Sequence, residues 1–323
     1  MRAVVLHAFG PAGNLRYETV PDPIPRAGQV RIVVKAAGVH LIETAMREGL
    51  PIGPPLPELP AIFGGEVAGI VESVGPGVDT SLVGADVVTS RSVSGGYSEL
   101  AVAEVTALHR IPAGLDYESA AAMIVTGTTT IEVLDIAALT ADDVVLVNSA
   151  AGGIGRLMVQ HARTIGARVI GAAGGPAKVA AVAALGADLA VDYNQPDWTD
   201  QVRQAYGERP VTVALDGVMG EKGRAAMDLL AEGARYVTYG NASRDEFTPD
   251  AEKLREQGIT MIDALSIMLS KPREVRNEES RALQAAADAA MVPTVHTFPL
   301  AAAAQAHAAL ERRATTGKVI LVP

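Results

Sequence analysis

"VVLVNSAAGGIGRLMVQHA", Val144 to Ala162, is the stretch on which the fold turns. An apolar strand runs into a cluster of small residues and then into a helix. Along that helix Ile154, Leu157, Met158, His161, Ala162 and Ile165 recur at i, i+3, i+4, i+7, i+8 and i+11, the stripe of a helix laid on a sheet. In the turn, Ala150, Gly152 and Gly155 occupy the three small positions of G-x-G-x-x-G, with alanine in the first. Small residues let the backbone approach a pyrophosphate closely. The helix start, through Gly153 and Ile154, offers N–H groups that no carbonyl of the helix satisfies. Strand, turn and helix together predict a nucleotide site.

Outward from this loop the pattern repeats. "ARVIGAA", a helix from Ala177, "LAVDY", "VTVALD", a helix from Lys222, "ARYVTYG" and "ITMIDAL" alternate strand with helix. Such alternation predicts βαβ units on a doubly wound parallel sheet, the Rossmann arrangement. An NAD site places a carboxylate at the end of the second strand, against the ribose 2′-OH. Here that end reads Ala172-Ala173-Gly174-Gly175, with Lys178 one helical turn later. The missing acid and the nearby cation favour a 2′-phosphate and hence NADP, although Lys178 also reads as an ordinary solvated helix lysine. Asp216, after the fourth strand, reads either as a cofactor contact or as a helix cap. His161, on the apolar stripe, reads as packing.

The flanking chain has a different texture. Residues 1 to about 120 are short strands and turns, including "QVRIVVKAAGV" and "EVAGIVESVG", and the first residues alternate like an edge strand. "PIGPPLPELP" (51–60) carries five prolines and reads as a surface loop. From about 270 come a helix, the strand "TVHTF", an Ala-rich helix and the final strand "KVILVP". The expected domains are 123–268 for the nucleotide and, for the other, 1–122 joined by 269–323.

Composition narrows the function. The 323 residues are 49% apolar and 20% charged, with a net charge of −10 and no basic block, which argues against nucleic acid or an anionic membrane as partner. There are no cysteines, so disulfides, thiolate nucleophiles and Cys-based zinc sites are excluded. No apolar run is expected to reach the ~20 residues of a membrane span, and the amino terminus lacks a signal-peptide pattern. The expectation is a cytoplasmic protein.

One frame remains: Gly64-x-Glu66-x-x-Gly69, then Gly75 and Val78, followed by "GGY" at 95–97, "VDY" at 191–193, "YGN" at 239–241 and the tail "ERRATTGKVILVP". With the glycine loop, these resemble the medium-chain dehydrogenase/reductase superfamily, and within it the zinc-independent quinone oxidoreductases of the zeta-crystallin type. The resemblance runs nearly end to end. It implies a GroES-like, mainly-β catalytic domain beside the Rossmann domain, and a homodimer joined around "GITMIDAL". Zinc-dependent members carry a metal-binding histidine just before the glutamate; here that residue is Gly65, so no metal is expected. The resemblance implies NADPH as cofactor, with Lys178, Tyr193 and Arg313 near its 2′-phosphate. It also places Gly240 and Asn241 near the nicotinamide, and has Thr126 and Thr130 flank a turn that closes on the cofactor.

Where relatives of this type read "N-F-I-D-T-Y", the chain reads "HLIETA", His40 to Ala45. His40 and Glu43 stand three residues apart, on one side of a helical turn. A carboxylate beside an imidazole favours its protonated form, which makes His40 a candidate proton donor; the alternative is a histidine that only positions the cofactor. The expected function is NADPH-dependent, metal-free reduction of quinones or other α,β-unsaturated carbonyls. A pathway-specific enoyl or polyketide tailoring reductase is the same-class rival. A cofactor-binding protein without turnover, crystallin-like or RNA-binding, is the rival from another class.

Overall fold

The computed structural model describes residues 1–90, 95–245, 247–270 and 275–323, leaving aside the side chain of Lys253. These form two compact units, Met1–Thr128 with Glu279–Pro323, and Thr129–Glu278.

The amino-terminal stretch contains β1 (Arg2–Leu6), β2 (Leu15–Thr19), β3 (Gln29–Val39), α1 (Leu41–Glu48), β4 (Ala61–Ile62) and β5 (Glu66–Val74). It continues through β6 (Asp86–Ser90), β7 (Leu100–Glu104), β8 (His109–Arg110) and α2 (Tyr117–Ala122). A π-helical turn, Met123–Gly127, leads into α3 (Thr128–Ala137). The helical run Tyr117–Ala137 therefore passes from one unit to the other without a break. The sequence reading put the joins at 122/123 and 268/269, because the change of texture marks where strands give way to helices and not where the chain changes unit. This run is also long and apolar enough to cross a membrane, contrary to the expectation of no such stretch, and most of it is buried within the protein.

The middle of the chain alternates strictly. β9 (Val144–Asn148), α4 (Gly153–Thr164), β10 (Arg168–Ala173), α5 (Pro176–Ala184), β11 (Leu189–Asp192) and α6 (Trp198–Tyr206) form the first half. The second half is β12 (Val211–Asp216), α7 (Gly220–Met227), β13 (Leu230–Thr238), α8 (Ala251–Glu256), β14 (Thr260–Asp263) and α9 (Ala264–Ser270). The strand order is β11-β10-β9-β12-β13-β14, every pair parallel. This is the doubly wound 3-2-1-4-5-6 order, with β9 at the point where the winding reverses. β9 is buried at every position, so it reads as a continuous apolar run with no alternation. Asp143, just before it, takes two guanidinium hydrogen bonds from Arg235 of β13 (2.8 and 2.9 Å) and one from Thr212 of β12 (2.8 Å), tying three strands together.

The last stretch returns to the first unit with α10 (Val275–Ala287), β15 (Val295–Pro299), α11 (Ala303–Glu311) and β16 (Lys318–Val322). Its main sheet runs β15-β16-β3-β5-β6-β8, with β7 also paired to β3. β16 and β5 flank β3 antiparallel on either side. β1 is the middle strand of a smaller sheet, β2-β1-β4. The alternation of the first residues suggested an edge strand, but Val4, Val5 and Leu6 are all buried and both neighbours are paired.

Candidate active site

The register of three adjacent strands assembles a charged cluster in the first unit. Val319 of β16 faces Val39 of β3, and Ile320 faces Gly38. One step further along, Lys318 stands opposite His40. Across the other edge of β3, Val67 of β5 faces Ala37, so Glu66 stands opposite Gly38. The Glu66 side chain folds over that glycine: a Cβ on Gly38 would collide with its carboxylate. The missing side chain is what lets a residue of β5 reach across β3 to a residue of β16.

There the Glu66 carboxylate meets both cations. Its Oε1 lies 3.0 Å from His40 Nε2 and in contact with Lys318 Nζ. Glu66 is fully buried, the Lys318 side chain is 6% exposed, and the His40 side chain 26%. Burial pushes the Glu66 carboxyl upward, but the charges of His40 and Lys318 outweigh it and hold the group down at about 2. A buried carboxylate left without such partners would cost several kcal/mol. Next to Glu66, Gly65 faces open space.

Glu43 has another occupation. As the third residue of α1 it accepts the His40 backbone N–H on Oε2 (2.7 Å), the reach-back half of a capping box. It also accepts the Gly64 N–H (3.2 Å) and the Tyr97 hydroxyl (2.8 Å). The spacing of three that suggested an imidazole–carboxylate pair thus serves the backbone, and the carboxylate beside the ring belongs to Glu66. Beyond Tyr97, His307 Nε2 lies 3.1 Å from the hydroxyl. Since that hydroxyl donates to Glu43, it accepts from His307. The other ring nitrogen, Nδ1, has no partner among the described residues. Burial, aided by the Arg47 guanidinium, pushes His307 down to about 3. Arg47, itself buried, donates to the Gly10 carbonyl and contacts Glu311, clamping α1 to α11.

In the second unit the glycine loop closes around itself at the carboxyl end of β9. Gly152 caps α4, and a Cβ on Gly155 would strike the Ser149 carbonyl and the Ala150 backbone. Gly153, Ile154 and Gly155 form the first turn of α4, whose N–H groups lie beyond the reach of helical carbonyls. At the end of β10, a Cβ on Gly174 would press on Tyr193 and Asn194. Lys222 of α7 stands 5.7 Å over the Tyr193 ring, a cation that the sequence reading missed because α7 is far along the chain. The carboxylate of Asp192 is taken up by the N–H groups of Gly175 (2.9 Å) and Asn194 (3.0 Å), which hold it below its ordinary range. Lys178 lies on α5, in the turn after Gly174.

Asp216 is fully buried and spent internally. It accepts from Asn148 (3.0 Å), from the Val218 and Met219 N–H groups and from Tyr236, so it holds a loop together and is not aimed at a ligand. Asn241 likewise accepts from Ser243 and Arg244 within its own turn, next to the half-buried Gly240. His161 is half-buried on α4 and pushed below its usual range by burial, as a packing histidine is. Thr126 and Thr130 are buried. Thr126 and Arg313 belong to the first unit; Thr130, Lys178 and Tyr193 belong to the second. Arg313 is exposed just beyond α11.

A GroES-like strand unit and a Rossmann unit define a two-domain dehydrogenase. Residues 26–113 match the alcohol dehydrogenase GroES-like domain family, and residues 185–321 match the zinc-binding dehydrogenase family. The chain is 32% identical to the 2-haloacrylate reductase of a Burkholderia species, over 99% of this chain and 98% of that one. It is 30% identical to the quinone oxidoreductase of Homo sapiens, over 100% and 98%. The structure of Escherichia coli quinone oxidoreductase complexed with NADPH superposes with a TM-score of 0.87 at 28% identity, covering both chains fully. The chain belongs to the medium-chain dehydrogenase/reductase superfamily, in its quinone oxidoreductase family. Despite the matched family's description, the residues do not fit zinc. The chain has no cysteine, Gly65 supplies no ligand, and among the described residues no three His, Asp or Glu side chains converge on a metal position.

Two of the shifted groups, His307 and Glu66, make the first unit acid-labile in a defined order. His307 is neutral when folded and binds a proton once unfolded, so its contribution is complete above about 6.5 and is lost as pH falls toward about 3. Glu66 is charged when folded, so its contribution is complete above about 4.5 and is lost as pH falls toward about 2. Urea-unfolding free energies taken from pH 7 to 3 are expected to fall from about pH 6.5 downward, and His307→Gln to flatten the upper part of that fall. A wild-type curve level down to pH 4 contradicts this.

Proposed function

We propose that the chain is an NADPH-dependent reductase that transfers hydride, without metal, to quinones or other α,β-unsaturated carbonyl compounds. The observation that carries this reading is the carboxyl end of β10. Gly174 occupies the place where an NAD site puts a carboxylate, and the nearby acid Asp192 is already bonded to backbone N–H groups. A phosphate is accommodated there and a ribose hydroxyl loses its acceptor. The start of α4 would take the pyrophosphate, with Ala150, Gly152, Gly153, Ile154 and Gly155 lining its approach. Lys178 and Tyr193 would face the 2′-phosphate. Within the same unit, Thr130, Gly240 and Asn241 are assigned to the rest of the cofactor.

NADPH supplies the two electrons and the hydrogen that adds to carbon. The chain's own contribution is to bind, to exclude water and to place a proton donor, and His40 is that donor. Of the three members of its cluster it alone presents much surface, and its ring is held by a buried carboxylate. The names of the relatives fit a common electrophile, since a quinone and a 2-haloacrylate are both conjugated to a carbonyl. With alanine at position 45, where the resemblance expects tyrosine, the acceptor is an enone or an unsaturated acid as readily as a quinone.

A homodimer is the assembly we propose, and the edge of the Rossmann sheet among the described residues supports it. β14 ends the sheet, and Met261, Leu265, Ile267 and Leu269 on it and on α9 are exposed. A second copy of the chain covers this patch in our reading. Light scattering is expected to give twice the mass of one chain, and Leu265→Asp with Leu269→Asp to give one; a wild-type monomer contradicts it.

Cofactor choice is tested by NADPH and NADH oxidation against a panel of quinones, enones and unsaturated acids. NADPH is expected to be preferred, and Lys178→Ala to raise its KM about tenfold while leaving that for NADH unchanged, one lost charge-assisted hydrogen bond. Preference for NADH, or no turnover across the panel, defeats the proposal.

A further inference from the structure

At the carboxyl ends of β10 and β11 one tyrosine joins a glycine to a lysine from a distant helix. A Cβ on Gly174 would stand 3.1 Å from the Tyr193 ring and 3.6 Å from its hydroxyl oxygen. That hydroxyl therefore lies against the residue that stands where an NAD site roots its carboxylate. The face of the same ring carries the Lys222 ammonium, 5.7 Å from the ring centroid, a separation at which an aromatic face still attracts a cation. Lys222 is the third residue of α7 and is half-buried. Its charge is also felt at Asp192, whose carboxyl is held down chiefly by the Gly175 N–H and in smaller part by the Lys222 charge. The link between the two is through space, since Lys222 acts on Asp192 by its charge and not through a hydrogen bond. Gly174, Lys178, Asp192, Tyr193 and Lys222 all belong to the second unit.

A phosphate monoester near neutral pH carries more than one negative charge and three acceptor oxygens. One lysine balances part of that charge and answers one oxygen. Lys178, in the first turn of α5, supplies one such cation. We infer that Lys222 is a further specificity-determining residue of the cofactor site: it is a second cation that binds the 2′-phosphate of NADPH beside Lys178, with the Tyr193 ring as its platform. The inference rests on the proposed reading of this unit as an NADPH site.

The lysine stem is flexible, so the ammonium swings from the ring face to a phosphate that accepts from the Tyr193 hydroxyl. Waiting on the ring keeps it close to the subsite before the cofactor arrives, and the nearby Asp192 is already taken up by the Gly175 and Asn194 N–H groups. The 2′-hydroxyl of NADH brings no charge for Lys222 to meet, so the residue acts on one cofactor and not on the other. A lysine that only packs on Tyr193, or only steadies Asp192, acts on every adenosine ligand alike.

Isothermal titration calorimetry of the complete chain separates these roles, with adenosine 2′,5′-bisphosphate and adenosine 5′-monophosphate as probes. The two probes differ only in the 2′-phosphate, and neither transfers hydride. The wild type is expected to bind the bisphosphate more tightly. Lys222→Met keeps the apolar stem and removes the charge. It is expected to lose about fivefold in affinity for the bisphosphate, one partly screened charge-assisted contact, and to bind the monophosphate as the wild type does. Lys222→Arg is expected to keep most of the preference, and Lys222→Met combined with Lys178→Met to abolish it. Added salt is expected to weaken bisphosphate binding less steeply in Lys222→Met than in the wild type. A Lys222→Met protein with the wild-type preference overturns the inference and leaves the NADPH reading standing. An equal loss on both probes does the same, as does a loss as deep in Lys222→Arg as in Lys222→Met, since each marks packing and not charge. A wild type that does not distinguish the probes overturns the inference and the NADPH reading together.

Discussion

A carboxylate with no exposure cannot stay charged in a protein interior unless cations meet it there, and Glu66 is such a carboxylate. Its neutralisation by Lys318 and His40 constrains much of the first unit. β16 must lie beside β3 for Lys318 to arrive, so the last residues of the chain are built into the sheet begun by the first forty. Position 38 must lack a side chain for the carboxylate to pass over β3. α1 must begin immediately after His40, and Glu43 enforces that start by holding the His40 N–H. Strand order, one glycine and one helix cap are thus consequences of a single buried charge.

The same economy bears on the proposal that the scaffold works without a metal. Zinc in such a site would be a fixed divalent charge beside the acceptor. Here the buried cation is an ammonium tied to Glu66, and the residue before Glu66 is a glycine facing open space. The frame Gly64-x-Glu66-x-x-Gly69 poses the question of a lost metal site, and in the structure Glu66 is ion-paired with His40 and Lys318 through Oε1. The second unit carries a complementary specialisation. Asp192, near the end of β10, is sequestered by backbone N–H groups, and a cation and an aromatic ring stand close by.

Much of this was legible in the sequence, for identifiable reasons. The Rossmann half depends on local signals: a turn of small residues, a stripe along α4, apolar runs at regular intervals. Each of these is set by residues a few positions apart, so β9 to β14 were readable together with their parallel order. What escaped depends on register between distant segments. The partner of the His40 ring was sought three residues away, at Glu43, whereas it sits on β5, and the cation completing the cluster comes from β16, 278 residues further along. No local pattern reports which residue of one strand faces which residue of another. β1 read as an edge strand because alternation describes a strand's two faces and not whether both edges are paired. Asp216 was ambiguous for a related reason, since its partners Asn148 and Tyr236 lie on neighbouring strands.

The central claim is that a metal-free chain reduces a conjugated carbonyl with two electrons from NADPH and a proton placed by its own residues. Mass spectrometry of the product, formed from 4-deuterated NADPH in ordinary water and then from ordinary NADPH in heavy water, both with a strong chelator present, tests it most directly. The account predicts undiminished turnover, one cofactor deuterium on the electron-poor carbon, and one solvent deuterium on the adjacent carbon or on oxygen. Turnover abolished by the chelator, or a product without cofactor deuterium, would contradict it.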